Sequence, residues 1–312
     1  MASANNIIDE KSGKRRMSSV EQRYTRGIMI QSTLRFIVCL LITIISLLPI
    51  YIILINSTRA SNDIILQGVS FLPGDSLIKN FETLNNPEAA NGAYVRAFNL
   101  FYGYANSMII SLSATALAVF FSGLTAYGLV VYDFKLKKIA TTFILAVMMV
   151  PMQVVSTGFV RFMVQIKLAD TYLPLILPAI ASPTVVFFML QYMKSSFPLE
   201  IVEAARIDGS GEFMTFLRIA LPILKPAFAV QAIFAFVANW NNYYTPSMIL
   251  LQNNIEQRTM PMMVAGILGN DKIADFGVRY LVVILSILPI VIIYLILSKF
   301  IVKGVALGAV KG

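Results

Sequence analysis

The apolar stretch that decides the fold lies near the start of the chain, where residues 36–55 read FIVCLLITIISLLPIYIILI. An uncharged run of about 20 residues is long enough to cross the hydrocarbon of a membrane as an α-helix. Lipid offers the backbone no hydrogen-bonding partner, so a helix, which satisfies its own backbone groups, is the expected form. This stretch therefore predicts a membrane-spanning helix.

Five further uncharged stretches follow along the chain, at residues 105–132, 139–160, 171–193, 227–251 and 280–298. Each has about the length of one membrane crossing. The sequence therefore predicts an all-α membrane protein with six transmembrane helices. We divide it into a basic N-terminal tail, residues 1–35, and a transmembrane domain, residues 36–312.

The bulk composition agrees and excludes several classes of protein. The chain is 57% hydrophobic and 13% charged, against about 25% charged residues in soluble domains. Its net charge of +9 comes from basic residues at the ends of apolar runs, which does not fit nucleic-acid binding. With no histidine and no GxxxxGK[ST] segment, we expect no His-based catalysis, no metal site and no ATP hydrolysis in this chain.

The distribution of basic residues predicts the orientation in the membrane. If the N-terminus is cytoplasmic, 17 of the 25 Lys and Arg residues fall on the inner side and eight on the outer side. Because positive residues concentrate on the cytoplasmic side, both termini are predicted to be inside a bacterial cytoplasmic membrane.

Small residues and prolines mark two of the predicted helices. Ala114, Ala118, Ser122 and Ala126 recur every four positions, a spacing that lets another helix approach closely in lipid. The stretch 171–193 contains three prolines, which kink helices and are tolerated where neighbours or a watery cavity satisfy the freed carbonyls.

Neutral polar residues in the predicted spans are candidates for a transport pathway. No charged residue lies at the centre of a span, which argues against ion-coupled transport, whereas amides suit a neutral, hydroxyl-rich cargo. An interfacial belt of aromatic residues explains the densest group, residues 239–244, equally well. The candidate residues are Gln153, Gln191, Asn239, Trp240, Asn241 and Tyr243.

One predicted inner loop, residues 194–225, indicates two short helices around a turn. Gly209 can adopt the left-handed conformation that ends a helix, and Ser210 is a candidate cap for the helix that follows. Glu203 and Arg206 lie three positions apart, so they share a helix face that could pair with charges on a partner.

The spacing within this loop resembles the EAA loop of ABC-importer permeases. Glu203-Ala204-Ala205 is followed after three residues by Gly209, then after nine by Ile219, and by Leu221-Pro222. Asn106-Ser107, Ala126-Tyr127, Trp240-Asn241 and the Gly-rich end at residues 304–312 are similar to the carbohydrate branch of that family. Asn242 departs from it, since an acidic residue is frequent there.

The resemblance, which covers about residues 30–312, implies the ABC type I importer permease fold and a set of partners. These are a second, homologous permease subunit, two ATP-binding cassette subunits that hold ATP and Mg²⁺, an extracytoplasmic solute-binding protein and membrane lipid. The chain itself would be non-catalytic and would carry half of the pathway for a carbohydrate. The residues expected to couple it to the ATPases are Glu203, Ala204, Ala205, Arg206, Asp208, Gly209, Ile219, Leu221 and Pro222.

Two alternatives remain open at the level of sequence. An ABC permease for a non-sugar solute would share the EAA loop, and the carbohydrate-branch residues argue against it. A secondary transporter would show an internal repeat or a membrane-embedded charge, and neither is visible in the sequence.

Overall fold

The computed structural model describes residues 19–252, 254–270 and 275–309, and within them its regular elements are helical. Short 3₁₀ turns occupy Ala89–Gly92 and Leu177–Ile180, and a π-helical turn occupies Phe216–Ala220. The all-α prediction is confirmed for these residues. The α-helices are, in chain order, α1 (Ser19–Ser57), α2 (Ser61–Gln67), α3 (Leu77–Asn85), α4 (Ala93–Ala97), α5 (Leu100–Val131), α6 (Lys137–Met148), α7 (Met152–Gln165), α8 (Leu173–Ile176), α9 (Pro183–Ser196), α10 (Glu200–Ile207), α11 (Glu212–Thr215), α12 (Leu221–Ile223), α13 (Lys225–Trp240), α14 (Tyr244–Ile249), α15 (Met260–Leu268) and α16 (Phe276–Ala309).

Four helical segments of the described chain are long and apolar enough to cross a membrane: Ile28–Ser57, Ala93–Val131, Leu173–Ser196 and Phe276–Lys299. A fifth crossing is added if the bent pair around α12 and α13 is taken as one span. The structure therefore supports four or five crossings by length and composition, where six were predicted. Helix α1 begins inside the predicted tail, and residues 1–18 of that tail lie outside the described residues.

The third predicted span, residues 139–160, is two helices in the structure rather than one. Helix α6 ends at Met148, and α7 starts at Met152 after Pro151, whose ψ of 128° is extended. Proline has no N–H to donate, and it disfavours helical geometry in the residue before it. The break at Pro151 is why neither half alone has the length of a crossing.

The fifth predicted span, residues 227–251, is also shorter than the apolar run suggested. Helix α13 ends at Trp240, and the separate short helix α14 follows. At the other end, α13 makes an angle of 82° with the segment Glu212–Ile223. The Asn242 side chain accepts a hydrogen bond from the Thr245 backbone N–H at 3.2 Å, which helps to start α14.

Helix α5 is the central element, and its small residues are where other helices approach it. Ala114, Ser122 and Ala126 are each 0% exposed, and α5 packs mainly against α13 and α9. A Cβ atom added at Gly123 would overlap the ring of Phe228 on α13. The prediction of close helix packing along this stripe is confirmed.

Two apolar clusters fill the helical body, one toward each end of α5. The first contains Phe236 and Trp240 with residues of α15 and α16, and the second contains Tyr127 and Phe216 with residues of α9. In a membrane such clusters are stabilised by close packing more than by exclusion from water. Because α5 and α13 contribute to both clusters, they connect the two ends of the molecule.

Candidate transport cavity and inner loop

A cavity of about 910 Å³ lies between α7, α8, α9 and α13, with Ala118 of α5 in its wall. Most of its lining is apolar, including the rings of Phe159, Phe188 and Phe234. Among the described residues its polar lining is uncharged and consists of Ser156, Ser182, Thr184, Gln231, Asn239, Asn242 and Thr245. Hydroxyls and amides both donate and accept hydrogen bonds, so this wall can bind hydroxyl-rich molecules without a fixed charge.

The prolines of the fourth predicted span shape this cavity. Pro174, Pro178 and Pro183 all line it, and the helix between them is replaced by the 3₁₀ turn Leu177–Ile180 and an extended Ser182. The Ser122 hydroxyl of α5 donates to the Ser182 carbonyl at 3.4 Å, in addition to the hydrogen bond that this carbonyl accepts from the Val186 N–H at 3.0 Å, and so ties the start of α9 to α5. The interrupted backbone therefore faces a cavity, as expected for non-helical chain at membrane depth.

The structure separates the six predicted pathway residues. Asn239 lines the cavity. Trp240 is 1% exposed in the apolar cluster with α16, and its Nε1 donates to the Ser286 carbonyl at 3.0 Å. Asn241 and Tyr243 line a different hollow of about 260 Å³, at whose edge Trp240 also lies.

Two of the six predicted residues lie elsewhere. Gln191 is exposed on α9, outside the cavity lining. Gln153 lies at the start of α7, and its side chain is outside the described part of the structure. A pathway role for these residues, and for Trp240, Asn241 and Tyr243, stays a prediction.

The inner loop, residues 194–225, forms two short helices around Gly209, as predicted. Gly209 has a φ of 78°, in the left-handed region, where a side chain is disfavoured. Its N–H donates to the Arg206 carbonyl at 3.0 Å. The residue capping α11 is Gly211, so the prediction for Ser210 was wrong. The Ser210 hydroxyl instead accepts a hydrogen bond from Thr215 at 2.9 Å.

Helix α10 has one face packed on the protein and one face uncovered. Val202 and Ala205 are buried, whereas Glu203, Ala204 and Asp208 are exposed. Ile207, at the end of the helix, is 87% exposed. The uncovered face therefore carries small and acidic side chains and ends in an exposed apolar residue.

The later residues of the motif form the base of the loop. Ile219 and Leu221 are half-buried beside the fully buried Ala220, and Pro222 is exposed within the short helix α12. The chain then turns at the buried Leu224 into α13. The loop is thus joined directly to the helix that carries Gln231 and Asn239 into the cavity.

A charged contact that the sequence did not predict ties the loop to α5. The Arg206 Nε atom lies 2.6 Å from Glu212 Oε1, and the Tyr132 hydroxyl donates to Glu212 Oε2 at 2.7 Å. The Arg206 guanidinium also lies 5.5 Å from the centre of the Tyr132 ring. The hydrogen bonds from Arg206 and then Tyr132 lower the pKa of the Glu212 carboxyl, and the bond to Glu212 raises the pKa of Arg206.

Comparison with known proteins decides the family. Residues 118–307 match the family described as the binding-protein-dependent transport system inner membrane component. The arabinooligosaccharides transport system permease protein AraQ of Bacillus subtilis (strain 168) is 33% identical over 88% of this chain and 93% of its own length. The lactose transport system permease protein LacG of Rhizobium radiobacter is 31% identical over 86% and 92%.

This chain belongs to that family of inner membrane permeases. Among solved structures, its fold matches a chain of a bacterial ABC transporter involved in the import of the acidic polysaccharide alginate. That match has a TM-score of 0.68 at 18% identity and covers 92% of this chain and 99% of the other. The resemblance to ABC-importer permeases is therefore confirmed, and the likeness in fold includes nearly the whole chain.

Within this permease, two of the residues that resemble the carbohydrate branch have a structural task at the end of α5 opposite the inner loop. The Asn106 amide donates to the backbone carbonyls of Glu256 and Arg258 at 2.7 and 3.0 Å. The Ser107 hydroxyl accepts from the Met260 N–H at 2.7 Å. Both side chains are buried, so they fix the segment before α15 against α5.

Several residues of the cavity were not among the predicted pathway residues. Gln231 and Asn242 line it together with the predicted Asn239, and spacings of eight and three residues are those of one helix face. That periodicity is a signal that could have found them. Ser156 could not be found in this way, because it comes from α7 and meets Tyr244 at 3.1 Å across the fold.

Proposed function

We propose that this chain is the permease subunit of an ATP-driven, binding-protein-dependent importer for a carbohydrate. It would form half of the translocation pathway and couple to ATPase subunits through its EAA loop. One observation carries the proposal: the inner loop leads, through the 82° bend, straight into α13, whose amide side chains line the cavity. A movement of the loop would therefore displace the pathway wall.

The nature of the cavity supports a carbohydrate cargo. Its described polar lining is uncharged and lies beside several aromatic rings, and sugars present hydroxyls together with apolar ring faces. AraQ and LacG are named for arabinooligosaccharides and lactose, which favours a short oligosaccharide. Non-sugar solutes are the alternative that the experiment below tests.

The membrane arrangement that we propose has six crossings, with both termini on the cytoplasmic side of a bacterial membrane. Helices α6 and α7 would make the third crossing together across the break at Pro151, and α13 with α14 the fifth. An even number of crossings places the two termini on one side. The basic residues of the inner loop then face the cytoplasm, in agreement with the positive-inside rule.

The partners follow from the family and from the surfaces that this chain leaves uncovered. We propose a second permease subunit, two ATPase subunits, one of which would dock against α10, and a solute-binding protein at the outer end. ATP and Mg²⁺ would be bound by the ATPases, and this chain would be a non-catalytic subunit without a cofactor of its own. The exposed apolar tip Ile207 would enter the ATPase surface.

The proposal is tested by ATP hydrolysis of the assembled complex in lipid, with its binding protein, across a panel of solutes. The panel contains arabinooligosaccharides, lactose, acidic oligosaccharides, peptides and phosphate esters. We expect stimulation by a neutral oligosaccharide above the level of the binding protein alone. Stimulation by non-sugars only would refute the carbohydrate assignment, and a chain that never assembles with an ATPase would refute the importer.

A further inference from the structure

The contact among Arg206, Glu212 and Tyr132, here called the clasp, joins three separate elements. Arg206 lies on α10, Glu212 is the first residue of α11, and Tyr132 follows the last residue of α5. Both carboxylate oxygens of Glu212 are engaged, one by each neighbour. Two short hydrogen bonds to one planar group fix its direction as well as its distance.

A series of aromatic contacts connects the clasp to the buried core of the protein. The Tyr132 ring packs edge-on against Tyr127, with ring centres 6.4 Å apart. Tyr127 is 2% exposed and in turn contacts Phe197 and Phe216, with ring centres at 6.2 and 5.4 Å. A displacement of α10 would thus reach α5 through side chains packed at native density.

The clasp is too exposed to stabilise the fold strongly. The side chains of Arg206 and Glu212 are 38% and 43% exposed, and ion pairs in water contribute little to stability. The burial of Val202 and Ala205 already holds α10 on the protein. What the clasp adds is the orientation of α10 relative to α5, which matters if α10 transmits a movement.

We propose that Glu212 is a positioning residue for energy coupling: with Arg206 and Tyr132 it makes α10 and the inner end of α5 move as one body. This inference rests on the proposed function, since it requires an ATPase that moves α10. Glu203 and Asp208, for which the described residues show no ion pair, stay available for the ATPase itself.

The test uses the assembled complex in lipid, with two readouts. The first is cargo delivered per ATP hydrolysed. The second does not depend on cargo: it is the distance distribution between spin labels at Glu200→Cys and Lys135→Cys, in a Cys39→Ala background, without nucleotide and with ATP bound. For Glu212→Ala we expect cargo per ATP to fall about fivefold, a usual size for coupling between sites, and the distribution to broaden.

The controls separate positioning from folding. The exchanged pair Arg206→Glu with Glu212→Arg should recover most of the lost coupling, and Tyr132→Phe should show a smaller effect of the same sign. Asp133→Asn removes a neighbouring carboxylate and should change neither readout. The Asp133 side chain is fully exposed, and its contact with Lys137 is 3.8 Å long.

Two results would overturn the inference. The first is wild-type cargo per ATP together with wild-type distances in the Glu212→Ala complex. If that variant does not assemble, the same result in the Glu212→Gln and Tyr132→Phe complexes has this meaning. The other is failure of Glu212→Ala and of the exchanged pair to assemble at all, which would make the clasp a folding element. If wild type responds to no carbohydrate, the proposed function fails, while the distances still decide the clasp.

Discussion

The inner loop and the cavity differ most clearly in where they place charge. Glu203, Arg206, Asp208 and Glu212 lie within ten residues on the exposed loop, whereas the described polar lining of the cavity is uncharged. A charge on the loop stays hydrated until a partner pairs with it, but a charge at membrane depth costs free energy throughout. The difference supports our proposal that the loop recognises a protein and the cavity a neutral solute.

The largest effect is expected where the loop presents its apolar tip. Ile207→Asp should weaken binding of the ATPase subunits by about 30-fold, since hot-spot residues contribute about 2 kcal/mol or more at interfaces. Titration of purified ATPase against the permease in lipid nanodiscs measures this. Ile207→Val keeps the apolar surface and should bind normally. Equal binding by both variants would show that α10 does not dock through its tip.

A smaller effect is expected from a charge placed inside the cavity. Asn239→Asp should lower ATPase stimulation by a neutral oligosaccharide about tenfold, because a carboxylate at membrane depth has to be solvated or neutralised. Asn241→Asp is the matched variant, since Asn241 is exposed and lines a different hollow. We expect it to keep most of the stimulation. If Asn241→Asp is the more damaging, the pathway runs through that second hollow instead.

The smallest effect concerns the turn between α10 and α11. Gly209→Ala should reduce transport a few-fold, because placing a residue with a Cβ in the left-handed region costs about 1–2 kcal/mol of conformational free energy. The added Cβ would have no other atom within 4 Å, so it would cause backbone strain without a steric clash. Gly211 is equally open but has a φ of −68°, so Gly211→Ala should be nearly silent. Uptake of labelled cargo by cells checks both, and identical rates for the two variants would contradict the role of the turn.

Long uninterrupted apolar runs were predicted well from sequence, and interrupted ones less well. The first and sixth predicted spans lie within α1 and α16, and the second lies within α5 except for its last residue, because hydropathy over 20 residues is a strong signal. The third and fifth were drawn as single spans, although Pro151 and the Asn-rich segment after Trp240 end the helices there. Local helix breakers therefore decide where helices end within an apolar run.

At the candidate site too, a feature set by neighbouring residues could be predicted from sequence, whereas a contact between residues far apart in the chain could not. The turn at Gly209 could be predicted, since a glycine ending a helix is a local pattern. The clasp could not, because Tyr132 and Glu212 are 80 positions apart and only the packing of α5 against the loop brings them together. For the same reason the burial of Trp240 against α16 could not be read from the sequence, and its pathway role stays a prediction.

The central proposal is that the cavity belongs to the translocation pathway and that the inner loop moves its wall, and it is tested most directly by thiol accessibility. Asn239→Cys is placed in a Cys39→Ala background, which removes the one native cysteine. The assembled complex is then exposed to a membrane-impermeant thiol reagent from each side. Our account predicts labelling from the cytoplasmic side without nucleotide and from the outer side with a non-hydrolysable ATP analogue and binding protein. A cysteine that reacts from neither side in any nucleotide state would contradict it.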